Sequence, residues 1–243
     1  MKPFLLLASR ADDIAADDEY LAYLRYCALE PAQLSRIRME QGPLPDIDLS
    51  LYSGVIVGGS PFTSSDPMDS KSKTQLRVEH ELSVLLDDIV DADFPFLGAC
   101  YGVGTLGLHQ GGTVDRTYGE PIGAVEIKLT AEGRQDPLLR DVPEQFTAFV
   151  GHKEACTVLP PNAVVLAGSA TCPVQMFRIK ENLYATQFHP ELDADGLVTR
   201  IDIYRHSGYF PPEQAEQLMA AARESVVVEP MNILRNFAAR YAA

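Results

Sequence analysis

The sequence predicts an α/β protein in three layers: a mostly parallel sheet with helices on both faces. Three observations carry this. From Phe4 to Leu108, short apolar runs alternate with longer segments of helical apolar spacing, the pattern of parallel strands buried on both sides and joined by helices. Two apolar runs end abruptly in Gly58-Gly59-Ser60-Pro61 and Gly98-Ala99-Cys100-Tyr101-Gly102, and the carboxyl ends of parallel strands are where loops of an open sheet gather. Beyond Gly112 the strands become short and are separated by Pro143, Pro160-Pro161-Asn162 and Glu181-Asn182, which predicts antiparallel additions to the sheet.

In chain order, Phe4–Ala8 is the first buried strand. Asp18 to Leu29 follows as a helix with Leu21, Leu24, Cys27 and Ala28 on its apolar stripe. Leu34–Met39 makes a poorer strand and Tyr52–Val57 a buried one. Ser70–Val90 is a long helix striped by Leu76, Leu82, Leu85, Leu86 and Ile89. Phe94–Leu97 is a strand and Tyr101–Leu108 a helix. Connections between neighbouring parallel strands are expected to be right-handed. The strand-like runs of the middle are Thr113–Arg116, Gly123–Leu129, Phe146–Val150, Ala163–Ala167, Val174–Ile179 and Leu183–Gln187. The helical end comprises Leu197–Tyr204, Pro212–Glu224 and Glu229–Tyr241. With no internal repeat or linker, residues 1–243 are expected to form one unit with a helical extension over about 197–243.

Composition narrows the function. Apolar residues make up 46% of the 243 residues and no apolar run approaches the length of a membrane span, so a membrane protein is not expected. The start of the chain is too short in its apolar part, and acidic directly afterwards, to be a secretory leader. A cytoplasmic location is therefore expected. The 20 basic against 34 acidic residues leave a net charge of −14, which repels phosphate backbones and argues against nucleic acid. The four cysteines, Cys27, Cys100, Cys156 and Cys172, have neither disulfide-framework nor metal-ligand spacing. No metal site and no cofactor motif is expected.

Three loops carry chemistry. Gly98-Ala99-Cys100-Tyr101-Gly102 has the form glycine-x-nucleophile-x-glycine between a strand and a helix. There the helix N-terminus favours a thiolate at Cys100 and the Tyr101 N–H points at a developing oxyanion. In Gln187-Phe188-His189-Pro190-Glu191, two residues of extended chain share a face, so His189 can serve Cys100 as base while Glu191 orients it. The glycines of Val57-Gly58-Gly59-Ser60-Pro61 allow close backbone approach, and an N–H of Gly59 or Ser60 is the second oxyanion candidate. Neither glycine-rich phosphate motif is present. Outside these loops, Cys27, Cys156 and Cys172 read as packing residues. His80 reads as an exposed helix residue, and His109 and His206 have no visible partner. His152 is a candidate for the pocket border.

Together these residues resemble the class I, triad-type glutamine amidotransferases, and more narrowly proteins similar to the glutaminase domain of GMP synthase. The nucleophile motif is matched by Gly98–Gly102, the strand-end His-Pro-Glu by His189-Pro190-Glu191 and the oxyanion loop by Gly58–Pro61. Gly151-His152-Lys153-Glu154 followed by Leu159-Pro160-Pro161, and Cys172–Phe177, also look familial. The resemblance covers roughly Tyr20 to Phe237. It implies a flavodoxin-like fold with antiparallel additions, and hydrolysis of a side-chain carboxamide through a Cys100 thioester with release of ammonia. The substrate would be glutamine or a γ-glutamyl compound, and a separate synthase subunit could accept the ammonia.

Two positions depart from the family. Gly104 stands where the family usually has a substrate-holding glutamine, which leaves room for a larger substrate. Ser60 precedes Pro61 where Gly-Gly is common, so a Ser60 donor would be strained. The residues thus leave open a glutaminase, a γ-glutamyl hydrolase or peptidase on the same fold, and a non-catalytic regulatory module.

Overall fold

The computed structural model describes residues 2–242; Met1 and Ala243, the ends of the expected 1–243 unit, lie outside the described residues. Five wholly buried residues form strand β1, Phe4–Ala8. Helix α1, Asp13–Cys27, starts earlier than its apolar spacing suggests because Asp12 caps it, its carboxylate accepting the Ala15 N–H at 3.0 Å. Its buried face is Ala15, Ala16, Glu19, Tyr23, Leu24 and Cys27. Leu21, expected on that face, is 57% exposed. A carboxylate, Glu19, is buried in the layer where a leucine was expected.

β2 (Leu34–Arg38) is an edge strand and β3 (Gly54–Val57) is fully buried. α2 (Lys73–Asp91) is capped by Ser72 and buries Val78, Leu82, Leu85, Leu86 and Ile89. β4 (Phe96–Ala99) then runs into α3 (Tyr101–His109). The remaining strands are β5 (Thr113–Asp115), β6 (Glu120–Leu129), β7 (Gln145–His152), β8 (Ala155–Val158), β9 (Ala163–Gly168), β10 (Met176–Ile179) and β11 (Leu183–Thr186). The last helices are α4 (Ala194–Ile203), α5 (Ala215–Glu224) and α6 (Met231–Tyr241).

Nine strands make one sheet in the order β2-β1-β3-β4-β11-β10-β9-β6-β7. The first five are mutually parallel and the last four add antiparallel. This is the expected fold class, with one correction. The Thr113–Arg116 run does not join the main sheet; β5 pairs with β8 in a separate two-stranded sheet. Strand β8 was not read from the sequence. Its four residues are too few for alternation to stand out, and tertiary contact decides it: Cys156 is fully buried, its sulfur close to Gly107 of α3.

One face of the sheet packs Phe4, Ile56, Leu97 and Phe188 against α1 and α6 through Tyr23, Leu24 and Phe237. The other packs Leu7, Val57 and Phe177 against α2 and α3 through Leu82, Leu86, Val103 and Leu106. Each such buried side chain contributes about 1.5–3 kcal/mol. A third cluster joins α4 and α5 to Phe149 and Leu192 beside the sheet end. Among the described residues no helix is long and apolar enough to cross a membrane. What matters for function is adjacency: β3, β4 and β11 are neighbours, with Val57 opposite Gly98 and Ala99 opposite Thr186. The loops after all three open on the same edge.

Candidate active site

Cys100 occupies the turn between β4 and α3 at φ 52°, ψ −85°, a backbone conformation rare for a side-chain-bearing residue. The first flanking glycine has a steric reason. A Cβ on Gly98 would lie 2.7 Å from the Gly102 Cα, so the turn closes on itself only with Gly98 bare, whereas a Cβ on Gly102 would meet only Val57 at ordinary contact distance. The Cys100 N–H donates to Thr186 O at 2.7 Å, tying the turn to the strand that delivers the histidine. The strain expected at Ser60 is absent, since Ser60 is not among the described residues with positive φ. It sits at Cys100 instead.

His189 follows β11. Its Nδ1 lies 2.8 Å from Glu191 Oε1 and its backbone N–H donates to Phe149 O at 2.9 Å. Arg200 Nη1 lies 3.2 Å from the same Nδ1, but Glu191 is nearer and only accepts, which places the proton on Nδ1 and leaves Nε2, without a hydrogen-bond partner among the described residues, as the lone-pair nitrogen. Cys100 and His189 line the same hollow.

Sequence reasoning missed a buried charge relay behind this pair. Arg200 of α4 donates to Glu191 Oε1 at 2.9 Å and lies 3.5 Å from Glu19 Oε1; Glu19 in turn accepts from Arg10 Nε at 2.9 Å. Glu19 and Glu191 are at most 1% exposed, and Arg10 and Arg200 at most 5%. Two cations and two anions therefore alternate out of water, which is how buried charges are tolerated. Signals existed for all three missed residues. Arg10 sits at the carboxyl end of β1, Glu19 lies between Ala15 and Tyr23 on a buried helix face, and Arg200 lies between Leu197 and Ile201. The second glycine of the Gly58-Gly59 pair is explained by the same cluster: a Cβ on Gly59 would lie 2.6 Å from an Arg10 nitrogen and 2.8 Å from the His189 ring.

Electrostatics correct one expectation. Burial pushes the Cys100 thiol up to about 12, with Arg10 and Arg200 pulling it down and Glu191 and Glu154 pushing it further up. This shift works against the thiolate expected from the helix N-terminus. Burial also pushes the His189 imidazolium down; Glu191 opposes this, and Arg200 and Arg10 reinforce it. Burial alone would raise the Glu191 carboxyl, but the facing His189 and Arg200 outweigh it and hold it well below the usual carboxylate range. Together these shifts favour a thiol, a neutral imidazole and an ionised carboxylate.

Cys100 stands where two hollows meet. One is walled by Arg10, His189, Arg200, Leu192, Leu197 and Tyr204. The other is walled by Phe62, Thr63, Tyr101, Lys153, Glu154 and Gln187. Ser60, Gly151 and Tyr209 border both. Tyr101 opens α3, so its N–H is one of the helix's orphan donors. Gly58 N–H is bonded to Leu7 O, whereas the N–H groups of Gly59 and Ser60 have no acceptor among the described residues.

His152 borders the second hollow, but both its nitrogens are engaged, Nδ1 with Glu154 O and Nε2 with Glu120 Oε2, each at 2.8 Å. Donor atoms of Glu120, His152 and Cys172 lie within 4.8 Å of one another. Glu120 is already saturated by His152, Gln175, Thr171 and Ser169, so the group is a hydrogen-bonded wall rather than an open ligand set. Gly104 does not leave room: a Cβ there would lie 2.7 Å from Ser64 Oγ and 3.2 Å from Glu154 Oε1. His109 has partners after all, Asp87 and Gln110, each at 2.9 Å.

Proteins similar to this chain are known. A family model described as glutamine amidotransferase class-I matches residues 25–196. A glutamine-hydrolyzing GMP synthase subunit of Pyrococcus abyssi is 30% identical over 170 residues, 70% of this chain and 80% of that one. Gamma-glutamyl peptidase 4 of Arabidopsis thaliana is 26% identical over 232 residues, 92% of this chain and 89% of that one. The match to the GMP synthase of Oceanobacillus iheyensis, 30% identical, spans 57% of this chain and only 24% of that protein. Among solved structures, a glutamine amidotransferase from Thermotoga maritima superposes with a TM-score of 0.75 at 22% identity, over 99% of this chain and 98% of that one. A glutamine amidotransferase from Methylobacillus flagellatus gives 0.73 at 19% identity, over 100% and 94%.

Proposed function

The chain belongs to the class-I glutamine amidotransferases, and from that premise we propose that it hydrolyses a γ-carboxamide through a thioester on Cys100, with His189 as base and acid and Glu191 as its orienting carboxylate. Attack of the Cys100 sulfur on the carboxamide carbon passes the thiol proton to His189 Nε2. The oxyanion forms toward the Tyr101 N–H and that of Gly59 or Ser60; losing one such donor costs on the order of 10²–10³ in rate. His189 then returns its proton to the leaving nitrogen. Ammonia departs, water activated by His189 cleaves the thioester, and glutamate leaves with the Cys100 thiol restored.

The observation that carries the reading is His189, held through Nδ1 by Glu191 at 2.8 Å in the hollow that Cys100 also lines. The test is release of ammonia and glutamate from glutamine, followed in the wild type and in Cys100→Ala. Release that persists in Cys100→Ala overturns the reading. So does a glutamine-like electrophile that labels Cys27, Cys156 or Cys172 as fast as Cys100, which would favour a non-catalytic module. By likeness to the GMP synthase subunit of Pyrococcus abyssi, a separate polypeptide is the proposed ammonia acceptor.

A second reading, a γ-glutamyl peptidase, is favoured by the apolar wall of Leu192 and Leu197 on the His189 side, where a leaving group larger than ammonia would lie. The near end-to-end match to the Arabidopsis thaliana peptidase supports it too. Turnover of γ-glutamyl peptides at a kcat/KM well above that of glutamine selects this reading over the first.

A further inference from the structure

The two hollows divide a carboxamide between them. His189 walls the first rather than the second, so a nitrogen that exchanges a proton with its Nε2 lies in the first. The walls there are more than ammonia needs. Leu192 and Leu197 are at most 4% exposed and give the hollow an apolar side. Arg10 gives it a cation. The Arg10 guanidinium spends Nε on Glu19 at 2.9 Å and Nη1 on the Tyr204 hydroxyl at 3.3 Å, while Nη2 has no acceptor among the described residues. Arg10 is 4% exposed, and a polar group that far out of water is ordinarily hydrogen-bonded. Nη2 thus presents an unspent donor. Arg10, Leu197 and Tyr204 all lie outside residues 25–196, the stretch matched by the family model, so two flanks of the chain converge to build this side of the cleft.

The spacing is that of one α-amino acid. A single carbon built on Gly59 would touch both Nη2, at 2.6 Å, and Cε1 of the His189 ring, at 2.8 Å. Cε1 is bonded to Nε2, so Nη2 sits beside the ring edge that does the chemistry. In an amino acid the amine nitrogen and the carboxylate carbon are two bonds apart, roughly 2.5 Å. An amine at Nε2 therefore brings its carboxylate within reach of Nη2 and leaves its side chain for the leucine wall.

We propose that the first hollow is an acceptor site for an apolar α-amino acid, and that the chain transfers a γ-glutamyl group from Cys100 to that amino acid's amine as well as to water. Arg10 Nη2 donates to the α-carboxylate, and Leu192 and Leu197 face the side chain. The incoming ammonium loses one proton to solvent. The amine nitrogen then bonds to the thioester carbonyl carbon, the C–S bond breaks, and a second amine proton passes through His189 Nε2 to the Cys100 sulfur. The products are a γ-glutamyl amino acid and the restored thiol. This rests on the reading that a γ-glutamyl thioester forms on Cys100, and it holds whether the first leaving group is ammonia or a peptide.

The test reads how one thioester is divided. Glutamine and γ-glutamyl-p-nitroanilide serve in turn as donor, with L-leucine or L-leucinamide as acceptor. Glutamate and the γ-glutamyl product are quantified by mass spectrometry. Leucinamide keeps the side chain and lacks the carboxylate, and its less basic amine favours it on availability alone. In the wild type γ-glutamyl-leucine is expected to rise with leucine concentration while glutamate falls. The ratio of transfer to hydrolysis is expected to be roughly 10- to 100-fold higher for leucine than for leucinamide, the range of one charge-assisted hydrogen bond. In Arg10→Gln the leucine ratio should drop to that of leucinamide. Both products come from the same thioester, so a role of Arg10 confined to the buried relay lowers them together and leaves the ratio unchanged; that outcome overturns the proposal. Leu197→Ala, which keeps Arg10, should lower transfer to leucine relative to glycine, and an unchanged preference also overturns the site. Hydrolysis by the wild type with no γ-glutamyl-leucine, or with leucine and leucinamide served alike, overturns the proposal and leaves the thioester reading standing. Absence of any Cys100-dependent product from either donor means that the thioester reading has failed, and the proposal with it.

Discussion

Among the described residues two buried histidine–carboxylate pairs stand out, each closed at 2.8 Å: His189 with Glu191 and His152 with Glu120. Both histidines border the cleft. They differ in the second ring nitrogen and in the company of the carboxylate. His152 spends its other nitrogen on Glu154 O, and Glu120 is crowded by the neutral donors Gln175, Thr171 and Ser169. His189 keeps a nitrogen for the cleft, and Glu191 is backed by a guanidinium. An identical short contact thus builds a wall in one place and, on the proposed function, serves proton transfer in the other. Distance to a carboxylate does not distinguish the two; an unspent nitrogen and a compensating cation do.

The largest expected effect breaks the comparison at the histidines. His189→Asn should lower turnover about 10⁴-fold with little change in thermal stability, since loss of base and acid removes the chemistry while Arg200 still pairs the buried Glu191 carboxylate. His152→Asn should do the reverse. Breaking a buried pair costs about 3 kcal/mol, which lowers Tm by roughly 5–10 °C, and turnover should stay within about tenfold. Steady-state rates and thermal unfolding on both variants decide it. Equal loss of turnover in the two would erase the distinction drawn between them.

The unequal legibility of the two pairs has a physical cause. Cys100, His189 and Glu191 stand in local patterns, two glycines around a strained turn and a proline between two residues of extended chain, and such patterns depend on a few neighbouring residues. The sheet was legible for the same reason, because β1, β3, β4 and β11 are continuous apolar runs. Glu120 and His152, by contrast, are 32 positions apart and meet only across the β6–β7 register. The Arg10–Glu19–Arg200 relay is longer still in sequence, joining the end of β1, the middle of α1 and the end of α4. Its members look like solvated charges until the packing removes the solvent. Strand β8 was hidden likewise, since its partner β5 lies some forty residues upstream. Gly104 misled for a related reason: an absent side chain in sequence does not mean an empty space, because Ser64 and Glu154 reach in from elsewhere.

A smaller effect sharpens the role of the cation. Arg200 is a positioning residue: it touches Glu191 and holds the relay, and acts on the chemistry through His189. Arg200→Gln should lower kcat/KM roughly 10- to 100-fold, the usual loss when the partner that orients a reactive group is removed. Its sharper signature is the pH profile. Arg200 disfavours the imidazolium of His189, so removing its charge raises the histidine's pKa. The acid limb of kcat/KM, set by protonation of the free enzyme's base, should therefore move to higher pH. A merely structural role would scale the profile without moving the limb. A limb that stays put or moves to lower pH removes Arg200 from the relay.

The smallest effect lies in stability against pH, and there the two pairs should separate. His189 titrates below its ordinary 6.5 in the folded protein, so between 6.5 and that lower value the unfolded chain binds a proton that the folded one does not. Stability then rises with pH through this window, and is lost as pH falls, with a slope of at most about 1.4 kcal/mol per pH unit for one proton. Burial would raise the Glu120 carboxyl, but its bonds to His152 and Thr171 outweigh this and hold it below its ordinary 4.5. Its contribution is therefore fully present above 4.5 and lost only as pH falls below that. His189→Gln, which can still donate to Glu191, should flatten the wild-type slope between pH 6.5 and 5 and leave the steeper loss below 4.5 intact. Denaturant unfolding of both proteins across pH 4 to 8 measures this. A variant that parallels the wild type above pH 5 would mean that His189 is not held neutral by its surroundings, and the contrast with His152 would then rest on geometry alone.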